Sequence, residues 1–148
     1  MKWSLFLNKI NTRKEVFKLF DNANNNRIDT MDLFSIIQLS SVSKIEGTIL
    51  NMMKIFGFVT KIFTRDEFNF YLDSLFSGII TTAITKGNKV PHKEMKGYRV
   101  RNEDIEALVT DIFGEEELLD RENFTIKFQN HPELYPMFKY FQDRYTIC

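Results

Sequence analysis

Apolar side chains recur at intervals of three and four along most of this chain, and polar clusters break the rhythm at regular points. Residues 13–20, RKEVFKLF, set Val16, Phe17 and Phe20 on one side of a short helix. That helix runs into the polar cluster DNANNNR. MDLFSIIQLSS follows, with Met31, Leu33, Phe34, Ile36, Ile37 and Leu39 predicting a broad apolar face. Lys44–Phe56 repeats the pattern through Ile45, Ile49, Met52, Met53 and Phe56, and Thr64–Ile80 through Phe68, Tyr71, Leu72, Leu75 and Phe76. Each polar break therefore lies between two helices.

Residues 85–101 contain Gly87, Asn88, Pro91 and Gly97 among several charges, a loop composition that reads as a linker. Beyond it, Asn102 is the expected N-cap of EDIEALVTDIFG, where Ile105, Leu108, Val109, Ile112 and Phe113 keep helical spacing and Gly114 marks the stop. RENFTIKFQN predicts another short helix, and the tail ELYPMFKYF a last one over 133–142. The fold class is all-α, with strand pieces of at most two residues inside loops. Along the chain it divides into an N-terminal region (1–84), the linker (85–101) and a C-terminal unit with its tail helix (102–148).

The 148 residues suit one compact domain or two small lobes sharing a core. Hydrophobic residues at 43% and 15 phenylalanines supply ample surface to bury, which excludes a wholly disordered chain. Twenty basic residues balance twenty acidic ones, and neither sign forms a block that would track a nucleic-acid backbone. The single cysteine, Cys148, excludes an intrachain disulfide and fits a reducing compartment. The apolar run in MKWSLFLNKI is broken by Asn8 and Lys9, and no stretch approaches the roughly 20 apolar residues that span a bilayer, so a soluble, cytoplasmic chain without membrane insertion is expected.

The informative stretch is DNANNNRIDTMD, Asp21 to Asp32. A twelve-residue calcium loop draws oxygen ligands from positions 1, 3, 5, 7, 9 and 12. Asp21 stands at position 1, Asn25 at 5, Arg27 (through its carbonyl) at 7, Asp29 at 9 and Asp32 at 12, while Ile28 holds the apolar position 8. Against tight binding, Ala23 offers no oxygen at position 3, Asn26 replaces the turn glycine at position 6, and Asp32 is shorter than the bidentate Glu. Asn tolerates the left-handed backbone, so the turn itself is expected to survive.

In order and spacing, VFKLFDNANNNRIDTMDLFSIIQLSS, TILNMMKIFGFVTKIFTRDEFNFYLDSLF, EDIEALVTDIFGEEELLDRENF and NHPELYPMFKYF resemble the last three hands and tail of the EF-hand group that includes calcineurin B, the neuronal calcium sensors and calaxin. The resemblance covers residues 13–142. It places Phe63 at position 8, Thr64 at 9 and Glu67 at 12 of a second loop that has lost its leading ligands in GFVTKI. In a third loop it places Leu119 at 8, Asp120 at 9 and Asn123 at 12, after a start collapsed to IFGEEE. It implies about three helix-loop-helix hands, with the second and third pairing through their position-8 residues and the first left to find another partner.

The resemblance further implies a non-catalytic, light-chain-like interaction subunit of a larger assembly, axonemal or cytoskeletal, with a phosphatase-regulator or membrane-trafficking role matching the family equally well. Such a subunit would grip an amphipathic helix of a protein partner largely independently of calcium. The tail helix would then complete the groove or occupy it. Met52, Met53, Phe56, Phe58, Phe63, Phe68, Phe76 and Met137 are the candidates for lining a groove, with Met52, Met53, Phe56, Phe68, Phe76 and Met137 the chosen set; core packing is the alternative for each. No cofactor is expected, or else weakly bound Ca²⁺ or Mg²⁺ in the first loop. The rival reading is a calcium sensor that uses that loop.

His92 and His131 lack a second ligand at helical spacing and read as loop residues, the EEEL run reads as a solvated turn, and no nucleophile-base arrangement or phosphate-cradling glycine loop is present, so an enzyme is not expected.

Overall fold

The computed structural model describes residues 20–21, 25–40, 44–57, 59–84 and 100–145. The expected helix at 13–19, the linker from 85 to 99, Ala23, Phe58, His92 and Cys148 lie outside the described residues. Six helices and two short strands make up the described chain: α1 (Thr30–Ser40), α2 (Ile45–Phe56), β1 (Ile62–Thr64), α3 (Arg65–Ile84), α4 (Asn102–Phe113), β2 (Leu118–Asp120), α5 (Arg121–Asn130) and α6 (Leu134–Tyr145). The molecule is mostly helical.

The helix boundaries follow from local chemistry. Thr64 precedes α3 and Glu67 lies in its first turn. The Glu67 N–H donates to Thr64 Oγ1 (3.2 Å) and the Thr64 N–H to Glu67 Oε2 (2.8 Å), a reciprocal cap that satisfies two otherwise orphaned donors. Asp120 caps α5 by accepting the Asn123 N–H at 2.8 Å. Helix α4 begins one residue earlier than expected: Arg101 is its cap residue and makes no side-chain capping bond, so Asn102 is the first helical residue and not the N-cap. Instead Arg101 pairs with Asp104 at 2.9 Å along the first turn. Gly114 ends α4 with φ +61° and ψ −122°, a backbone open almost only to glycine.

The strands are three residues long, not two. They run antiparallel, pairing Ile62 with Asp120, Phe63 with Leu119 and Thr64 with Leu118. Bonds from Arg65 N–H to the Glu117 carbonyl (2.8 Å) and from Arg121 N–H to the Lys61 carbonyl (2.9 Å) extend the ladder at both ends. This ribbon ties the loop between α2 and α3 to the loop between α4 and α5.

One continuous core runs through all six helices, from Ile36 to Phe138. The described residues before and after 85–99 thus share one interior. At its centre Phe68 packs edge-on to Phe124 with ring centroids 5.0 Å apart, and Phe63 meets Phe124 at the same distance. Burying one such ring contributes about 1.5–3 kcal/mol, and edge-to-face contacts add to that. Helix α1 lies close against α3 because Gly78 permits it: a Cβ there would sit 2.7 Å from both the Asp32 carbonyl oxygen and Ile36 Cγ1. A buried polar chain links α3, α1 and α2, in which the Tyr71 hydroxyl donates to Gln38 Oε1 (2.7 Å) and Gln38 Nε2 donates to the Thr48 carbonyl (3.1 Å). Complete burial holds the Tyr71 hydroxyl far above its ordinary pKa.

Helix α6 packs against α1 and α5. Its Leu134 and Phe138 are buried, and the Phe138 ring stands 5.0 Å from Phe128 and 6.1 Å from Tyr71.

Candidate functional site

The first loop is organised around Asp21, which is 5% exposed. Its Oδ1 accepts the Asn25 N–H at 3.0 Å and its Oδ2 the Asn26 N–H at 2.8 Å. Asn26 takes φ +60°, so the left-handed turn expected of a glycine is made by asparagine. Asn25 Oδ1 then accepts the Arg27 N–H at 3.0 Å, and Asp29 Oδ1 accepts the Met31 N–H at 2.9 Å, capping α1. Each of these side chains turns its oxygen onto the loop's own amides.

Asp32 does something the sequence does not announce. It is 6% exposed and its Oδ2 accepts the Ser77 hydroxyl of α3 at 2.6 Å. Asp32 therefore joins the start of α1 to the middle of α3. Among the described residues, no group of three or more His, Cys, Asp or Glu is placed to hold a metal ion.

A common rule covers the exits of all three loops. The residue assigned to position 9, Asp29, Thr64 or Asp120, accepts a backbone N–H from the first turn of the following helix. At position 12, Glu67 Oε2 accepts the Thr64 N–H and the Asn123 side chain donates to Asp120 Oδ2 at 2.7 Å. The Asn123 N–H holds the exposed Asp120 carboxyl below its ordinary pKa.

The six side chains chosen to line a partner groove take the place named as the alternative for each, in or against the core. Met52, Met53, Phe56 and Phe68 are buried in the core, and Phe76 and Met137 pack against it. The physical reason is that the protein's own helices fill the space, α6 among them. The apolar surface that does face outward belongs to other residues, including Phe34 and Ile37 of α1, Val59 and Ile62, Leu118, and Ile126 of α5. The broad face expected of 31–41 is split, with Ile36 and Leu39 turned inward and Phe34 and Ile37 outward. A shallow depression between α2 and α5 is lined by Glu46, Leu50, Thr125 and the exposed Ile126.

Two further side chains, Arg65 and His131, the second of which reads from the sequence as a loop residue, hold the elements in register. Arg65 reaches from the start of α3 to the end of α4, donating to Glu106 Oε1 and Thr110 Oγ1 at 3.1 Å each and to the Gly114 carbonyl. His131 is buried, and its Nδ1 accepts the Glu133 N–H (3.1 Å) and the Leu134 N–H (3.0 Å) at the start of α6. Its Nε2 lies 3.3 Å from Asp111 Oδ2. Two donors converging on Nδ1 require the hydrogen on Nε2. The one sequence signal for this role is the position of His131 two residues ahead of a predicted helix.

No family model matches the chain, and neither any curated protein nor any solved structure matches it. No helix among the described residues is long and apolar enough to cross a membrane.

Proposed function

We propose that this chain is a degenerate EF-hand protein of about three hands, and that it serves as a non-catalytic, light-chain-like subunit which binds an amphipathic helix of a larger, axonemal or cytoskeletal protein without a calcium switch. One observation carries the reading. Phe63 and Leu119, the residues assigned to position 8 of the second and third loops, face each other in an antiparallel ribbon, while the residues at positions 9 and 12 cap helices. Pairing geometry is kept and oxygen donors are used internally. In calcium-sensing hands the ion drives the helices apart and exposes a groove. Here packing sets the helix arrangement, with α6 held against α1 and α5.

The rival, a sensor using Asp21, Asn25, Arg27, Asp29 and Asp32, is favoured by the survival of the first turn at Asn26. Isothermal titration of calcium into the full chain separates the two. The interaction-subunit reading expects no site of micromolar or tighter affinity. A micromolar site that Asp21→Ala abolishes overturns it in favour of the sensor.

A further inference from the structure

His131 stands at the join between α5 and α6. Its own N–H ends α5 by donating to the Phe128 carbonyl at 3.2 Å, and its ring, 6% exposed, receives the amides that open the tail helix. The Glu133 and Leu134 N–H groups converge on Nδ1 at 3.1 and 3.0 Å, so a single lone pair holds the start of α6. Imidazole accepts at one nitrogen, and only while the ring is neutral. A proton placed on Nδ1 turns that acceptor into a third donor facing two others. Both bonds then go together, and one of the amides left without an acceptor belongs to the fully buried Leu134.

The far side of the ring offers little in exchange. Nε2 lies 3.3 Å from Asp111 Oδ2 on α4, and the neutral ring already makes that contact with its Nε2 hydrogen. Protonation adds only charge there, and Asp111 is 61% exposed, where water weakens the attraction. On α5, Lys127 is turned to Glu116 at 3.1 Å, and ahead of α6 the exposed Glu133 meets the ring through its backbone N–H.

The Nδ1 bonds hold down the helix that closes the core. Leu134 and Phe138 are buried, and the Phe138 ring lies over Phe128 and Tyr71. Histidine is the side chain whose ordinary change of charge falls between about pH 5 and 8. The chain has two, His92 and His131.

We infer that His131 is a proton-operated latch: uptake of a proton at Nδ1 frees α6 from its first turn, so that mild acid uncovers the rings of Phe128 and Tyr71. The latch needs only the contacts of the ring and of α6, so its failure would leave the proposed interaction subunit standing.

Hydrogen–deuterium exchange of the full chain between about pH 8 and 5, corrected for the intrinsic pH dependence of exchange, tests it. Asp104 and Asp120, whose range is lowered, titrate further into acid. Protection of α6 is expected to fall with pH by up to about tenfold per pH unit, the limit for one proton, while α4 keeps its protection. His131→Asn, whose side-chain acceptor takes no proton in this range, should hold the tail equally throughout, and His92→Asn should respond as wild type does. If His131→Asn is already open at neutral pH, nitrogen spectra of the wild-type ring decide: Nδ1 must gain its hydrogen over the interval in which α6 loses protection. A tail that stays protected to about pH 5, a response that survives in a folded His131→Asn, or one that His92→Asn removes overturns the proposal.

Discussion

The Ser77 hydroxyl donates to Asp32 Oδ2 at 2.6 Å, fixing the N-terminal turn of α1 to the middle of α3 across the close contact that Gly78 allows. A hydrogen bond to a carboxylate contributes more than a neutral one, and here the carboxylate is 6% exposed. Ser77→Ala is therefore expected to lower the unfolding free energy by about 1.5–3 kcal/mol. Asp32→Ala should cost at least as much, and the double variant less than the two combined, because the partners share one interaction. Urea denaturation of the four proteins gives the coupling directly; additive losses would show that Asp32 acts independently of Ser77.

The cap on α5 makes stability depend on acid. Asp120 accepts the Asn123 N–H, and this bond, reinforced by the Asn123 side chain, lowers its folded-state pKa. A depressed pKa means that the unfolded chain takes up the proton first as pH falls. The contribution of the cap is fully present above the usual carboxylate range and is lost as pH drops through the lowered folded value. Asp104, held down by the Arg101 hydrogen bond, acts in the same direction. Asp120→Asn should keep a cap at neutral pH and flatten the acid limb of the stability profile. Thermal melts between mild acid and neutrality distinguish this from a variant that merely shifts the whole curve.

His131 anchors the tail helix. Its Nδ1 accepts two backbone donors at the start of α6, one of them on the fully buried Leu134. His131→Leu leaves those donors without an acceptor and should destabilise the fold by about 1–3 kcal/mol. His131→Asn, which keeps a side-chain acceptor, should recover part of the loss. Long-range proton–nitrogen spectra of the wild type at neutral pH should show the tautomer with hydrogen on Nε2. The opposite tautomer would contradict the geometry described.

Much of the architecture was legible from side-chain spacing. Ile105, Val109, Ile112 and Phe113 are buried along one face of α4 as their periodicity predicts, and Gly114 ends that helix. The opposition of Phe63 and Leu119 could be anticipated only through the loop register, because each strand is too short to show alternation. Local pattern also identifies Asp120 and Asn123 but not their use, since the same residues that ligate an ion can cap a helix.

Other features were hidden for a different reason. Ser77 and Asp32 are distant in sequence, and nothing in either neighbourhood points to the other. Met52, Met53 and Phe68 have the same composition whether they line an open groove or a closed core; only the placement of α6 and its neighbours decides. Arg65 looks like an ordinary charge after a strand, and its reach to Thr110 and the Gly114 carbonyl depends on the ribbon bringing α3 and α4 together.

The position of α6 also bears on biosynthesis. It is the last element of the described chain, yet Phe138 covers rings supplied by Tyr71 and Phe128. A nascent polypeptide emerging from the ribosome leaves those rings wet until residues 134–145 have cleared the exit tunnel. During that interval the exposed aromatics are a natural target for a chaperone or for aggregation. Residues 134–145 thus set the earliest point in translation at which this core can close.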